Sequence, residues 1–87
     1  MEIEPQSEVG RELRVSELQP RTIVLLHKVG KDVAATMWVI DVGDLCVHFR
    51  AGALNIEFLA LRCGADLEEI CDDTHTRLKI FEYLGEP

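Results

Sequence analysis

The residues best equipped for chemistry are Cys46, His48, Cys63, Cys71 and His75, which carry the thiols and imidazoles that zinc prefers. A structural zinc site usually draws two ligands from a tight C-x₂₋₄-C knuckle. Here the spacings are Cys46-x-His48, Cys63-x₇-Cys71 and Cys71-x₃-His75, so no knuckle exists. Cys46 and His48 would share one face of a strand and could chelate only if that face turned inward. The reading is of small thiols used as packing and histidines facing solvent, with no metal or other cofactor. Cys46, His48, Cys71 and His75 remain the set on which a small metal-dependent regulator or enzyme would have to be built. Nucleophilic catalysis by Cys71 is disfavoured by Glu68, Glu69, Asp72 and Asp73, whose charges oppose a thiolate.

Those carboxylates form the second constellation. Asp66, Glu68, Glu69, Asp72 and Asp73 place five acids within eight residues. An EF-hand loop would need a twelve-residue, glycine-containing arrangement that is absent. A catalytic acid pair needs a substrate cleft between rigid elements, which a chain of 87 residues has little material to build. No P-loop, G-x-G-x-x-G or G-x-S-x-G pattern occurs. With no catalytic set to assemble, the cluster reads as solvated acid available to a protein partner.

The whole-chain balance agrees. Nine basic against sixteen acidic residues give a formal charge of −7, and the basic ones are scattered. Phosphate backbones and anionic membranes both require a positive footprint, so direct binding to nucleic acid or to a membrane surface is not expected. The first residues, Met1-Glu2-Ile3-Glu4-Pro5, carry neither a basic nor an apolar leader, and an odd number of cysteines (three) fits reduced thiols. The expected setting is the cytoplasm.

Any such surface must be positioned by strands. Residues 22–27, 35–42, 45–50 and 78–84 are rich in β-branched and aromatic side chains and are separated by glycine-containing breaks. Leu45, Val47 and Phe49 alternate with Cys46, His48 and Arg50, which is the period of a half-buried strand. Trp38, Ile40 and Val42 share one parity against Met37, Val39 and Asp41, and Leu78, Ile80 and Glu82 oppose Lys79, Phe81 and Tyr83. Gly43-Asp44 resembles a two-residue hairpin turn of type II′. Residues 53–63 can be read as a helix ending at Gly64 or as a strand over 55–62; the need to complete a sheet favours the strand. Asp66-x-x-Glu69 matches a capping box, consistent with a helical turn over 67–71 or with the first arm of a hairpin turning at Asp72-Asp73-Thr74. Residues 1–10 read as a flexible acidic tail, and residues 11–87 as one small β domain.

These elements predict a mostly β fold: a small antiparallel meander or partly open barrel of five to six strands, in the broad layout of SH3-like barrels, with at most one short helix at 53–63 or 67–71. Trp38 is the expected core centre, at a cost of about 3–5 kcal/mol for its truncation to alanine. The function expected is that of a small non-enzymatic interaction module, binding a protein partner, by charge a basic one, or a second copy of itself as a homodimer. Edge strands at 45–50 or 78–84 and the acidic surface would serve as contacts. One alternative is an acidic mimic of nucleic acid, of the kind phage-type inhibitors use against nucleic-acid-binding enzymes. The other is the metal-dependent protein described above.

Overall fold

A computed structural model describes residues 9–31, 33–52, 55–71 and 74–85, with Cys71 described only through its backbone. Seven strands are present: β1 (Val9–Leu13), β2 (Ile23–Lys28), β3 (Val33–Val42), β4 (Cys46–Ala51), β5 (Ile56–Cys63), β6 (Asp66–Cys71) and β7 (Thr74–Tyr83). A 3₁₀ turn at Val15–Glu17 is the sole helical element among the described residues. The mostly β, antiparallel expectation holds, with one strand more than foreseen. Strands β2 to β7 pair in chain order, and β7 pairs back onto β2, so the meander closes into a six-stranded barrel. Strand β1 lies outside that ring, on the edge of β7 that β6 leaves free beyond Leu78.

Neither segment offered as a helix is one. In β6, Leu67 turns inward and Glu68 outward, a period of two, and the capping-box acids take tertiary partners instead: Asp66 meets Lys79, and Glu69 meets Lys28. The helix formers of 53–63 yield to the need of β4 for a second neighbour, and Cys46 to Ala51 pair with Leu61 to Ile56. Residues 53 and 54 lie outside the described set. β1 starts at Val9, inside the segment read as a tail, and residues 1–8 fall outside the description. A one-residue bulge between Val9 and Glu12 brings Gly10 against Glu82, where a Cβ would stand 2.6 Å from the Glu82 Cβ. Only glycine permits that approach.

The core comprises Val24, Leu26, Val39, Val47, Phe49, Ala60, Leu67, Leu78 and Ile80 from the barrel wall, with Val15 and Leu18 from the connection between β1 and β2. Phe49 and Phe58 face each other across β4 and β5, their ring centroids 5.4 Å apart and 23° from parallel. Trp38 is not in this core. It stands half-buried on the outer wall between Ile23 of β2 and Arg50 of β4. Its parity partners are also re-sorted: a bulge in β3 between Val39 and Asp41 leaves Ile40 and Asp41 both exposed and returns Val42 to the core. The β3–β4 connection is not a two-residue turn either. Val42 pairs with Val47, Gly43 donates its N–H to the Cys46 carbonyl at 2.9 Å, and Gly43 lacks the positive φ that a type II′ turn requires.

The two ends of the barrel differ. At the end carrying the β3–β4 and β5–β6 connections, the 3₁₀ turn crosses the opening: Val15 donates its N–H to Ala65 at 2.9 Å, and Val15 and Leu18 are buried. Glu17 secures this plug, accepting the Arg14 N–H at 2.8 Å and bonding to the Arg11 guanidinium at 2.7 Å. The Arg11 contact, then the Arg14 N–H, hold the Glu17 carboxyl below its ordinary range. A carboxyl depressed in the folded state stabilises it above the unfolded value of about 4.3, and that contribution drains away as pH falls through the folded value. A carboxyl-carbon NMR titration of Glu17 should therefore find its midpoint below about 4.3, and Arg11→Gln should move it up.

Candidate functional site

The acidic segment is not one surface. Asp66 and Glu68 lie on the outer wall of β6, whereas Glu69 points toward the open end of the barrel. Asp66 is 9% exposed, with its Oδ2 3.3 Å from Lys79 Nζ and 3.7 Å from Arg77 Nη1. Lys79 also holds Glu12 at 3.2 Å, so one ammonium ties β1, β6 and β7 together, and Glu12 first and Asp66 second raise its pKa. Glu68 reaches His75 at 3.2 Å, and Glu69 reaches Lys28 at 3.1 Å. Every described member of the cluster thus has a cationic or imidazole partner within the chain. Asp72 and Asp73 lie outside the described residues.

The thiol and imidazole set is dispersed as well. His48 on β4 is held by Glu57 of β5 at 2.8 Å, on the opposite wall strand from His75. Cys71 ends β6 opposite Thr74, and its side chain is outside the description. Cys46 and Cys63 are free and half-buried, the latter 3.9 Å from Arg77 Nη2. Among the described residues no three His, Cys, Asp or Glu side chains converge as a metal would require.

The strands expected at edges are interior. β4 is paired to β3 and β5, and β7 is paired on both sides, because a closed barrel gives each wall strand two neighbours. Openness lies elsewhere. β5 and β6 pair only through Leu61–Cys63 and Asp66–Glu68, then part toward the open end. Residues 56–60 of β5 and 69–71 of β6 thus each have one ladder partner among the described residues. Beside this seam stand Leu59, 61% exposed, with Leu61 and Ile70 also exposed on the outer wall. Below it the barrel interior opens as a cavity of about 260 Å³, walled by Leu26, Met37, Phe58 and Leu78, with the Lys28–Glu69 pair at its rim.

Sequence reasoning passed over this seam. Its signal was the run Phe58-Leu59-Ala60-Leu61, apolar on both faces in a strand that has only one face to bury. A second group also escaped notice. Arg21, Trp38 and Arg50 line an outer-wall pocket together with Val39 and Ile40. Assigning Trp38 to the core hid it.

No family model matches the chain, and no curated protein or solved structure gives a significant match. No helix among the described residues is long and apolar enough to cross a membrane.

Proposed function

We propose that this chain is a non-enzymatic interaction module that receives an extended basic segment of a partner protein at the β5–β6 seam. One observation carries the reading: strand edges with a single ladder partner run beside exposed Leu59, Leu61 and Ile70. Added strands gain affinity from main-chain hydrogen bonds and specificity from alternate side chains, and this seam offers both kinds of contact. Charge selects the occupant. The formal charge of −7 repels a second copy and attracts a segment carrying lysine or arginine between its apolar residues.

Selection of seven-residue peptides from a displayed library tests this. The expected winners alternate apolar and basic residues, and they shift amide resonances at residues 56–60 and 69–71. Leu59→Asp should lower their affinity by about tenfold or more. Its melting temperature should barely move, because exposed positions seldom shift stability by more than about 0.5 kcal/mol. Equal enrichment on the Leu59→Asp protein would refute the proposal. So would concentration-dependent dimerisation that Leu59→Asp abolishes, which would assign the face to a second copy.

A further inference from the structure

We propose that the Arg21–Trp38–Arg50 pocket binds a mononucleotide-sized ligand, one that joins an oxyanion to a planar ring. The pocket occupies about 360 Å³ of the outer wall of β3 and β4, a volume suited to a small ligand rather than a chain. Trp38 and Arg50 are direct cross-strand partners, and Arg21 joins them because its N–H donates to the Val39 carbonyl at 2.8 Å. Arg21 takes a left-handed φ of 69°, unusual for a side chain other than glycine, asparagine or aspartate.

Charge bears on the group. Arg11, Lys28, Arg77 and Lys79 each hold a carboxylate of the chain. Arg21 and Arg50 line one pocket and hold none among the described residues; Glu57, opposite Arg50 on β5, is bound to His48 instead. Arg50 Nε is buried and has no hydrogen-bond partner. That buried Nε restrains one end of the guanidinium, so less order is lost when an anion docks. Two guanidinium forks suit the oxygens of a phosphate.

The indole supplies the second half of the recognition. Its pyrrole edge lies close to Gly52, where a Cβ would stand 2.9 Å from Trp38 Nε1, so the ring reaches that place because position 52 is glycine. An aromatic face next to phosphate-binding arginines accepts a base by stacking. A nucleic acid strand would need further cations along its backbone. None besides Arg21 and Arg50 lines this pocket, and the net charge opposes a polyanion.

Trp38 is the only tryptophan, so intrinsic fluorescence reports directly on the pocket. Titration with AMP should quench it saturably, with a Kd of about 0.1–1 mM. Adenosine, which lacks the anion, and ribose 5-phosphate, which lacks the ring, should each bind about tenfold more weakly. Arg50→Gln and Arg21→Gln should weaken AMP binding by a similar factor while the melting temperature holds. Calorimetry on Trp38→Phe should show partial retention, since a smaller ring still stacks. Absence of saturation below about 10 mM would overturn the proposal, as would an Arg50→Gln protein that responds like the parent. An oligothymidylate binding more tightly per site than AMP would overturn it in favour of a strand, and an acidic peptide competing as well as AMP would overturn it in favour of a protein ligand. The seam is separate from this pocket, so Leu59→Asp should leave the AMP titration unchanged whichever way the peptide selection falls.

Discussion

Phe49→Ala should lower the stability of this protein by about 3–5 kcal/mol, whereas Trp38→Ala should lower it by less than about 2 kcal/mol. Phe49 is fully buried, stacked on Phe58 from the next strand and directly opposite Val39 on the preceding one. Its removal leaves a void bounded by three strands whose backbones are locked in ladders, so the surroundings cannot collapse to fill it. A domain of 87 residues has a total stability of roughly 4–13 kcal/mol, so this single substitution consumes a large share. At about 4–8 °C per kcal/mol, its melting temperature should fall by roughly 12–40 °C. Trp38 is the larger side chain but has solvent on one side, and truncating it exposes little that was dry. Paired thermal melts followed by far-ultraviolet circular dichroism decide the ordering. A Trp38→Ala protein less stable than Phe49→Ala would return the indole to the centre of the core.

That inversion shows where the sequence was legible. Composition located β2 and alternation located β4 and β7, and in all three the buried residues keep a period of two: Val24 and Leu26, Val47 and Phe49, and Leu78 and Ile80. Size, by contrast, misdirects. A lone tryptophan among strand residues invites assignment to the core, but its parity set Trp38, Ile40 and Val42 spans a β-bulge after Val39 that no local pattern marks. Inward and outward assignments made from one end of β3 therefore fail at the other. Val39, of the opposite parity, is the buried residue.

Charged residues were harder to read for a different reason. In the sequence, residues 66–73 look like one acidic surface, since five carboxylates crowd a short stretch. A strand sends neighbours to opposite faces, and pairing then brings each described acid a partner on another strand: Lys79 and His75 of β7 for Asp66 and Glu68, and Lys28 of β2 for Glu69. The expected edges are lost in two ways. Residues 45–50 lie between β3 and β5 in the meander itself, and the pairing of β7 back to β2 gives residues 78–84 their second side. Closure is a property of register and coiling summed over six strands. Short-range patterns could locate the strands but not the gap between β5 and β6, nor the meeting of Arg21 with Arg50 across the wall.

The plug sets the second large expectation. Val15→Asp should cost about 3–5 kcal/mol, and the size of that loss follows from what the segment can do in response. A carboxylate in the place of Val15, 2% exposed beneath the β5–β6 turn, would stand among the apolar side chains of the core. Rather than bury the charge, residues 14–18 should swing away. That movement breaks the Val15–Ala65 hydrogen bond and exposes Leu18 together with the substituted side chain. Uncovering two side chains of this size costs about 1.5–3 kcal/mol each, so detachment caps the loss near that sum instead of the far larger penalty for a buried ion. Val15→Ala keeps the plug seated and should cost only about 1–2 kcal/mol. Native-state hydrogen exchange separates the two responses. In Val15→Asp, the amide at position 15 should lose its protection while those of Val47 and Phe49 keep most of theirs, because the wall ladders do not pass through the plug. Uniform loss of protection across the barrel would instead make the plug part of one cooperative unit with the wall. A denaturation midpoint unchanged by the aspartate would mean that residues 14–18 close nothing, and that the barrel is open at both ends.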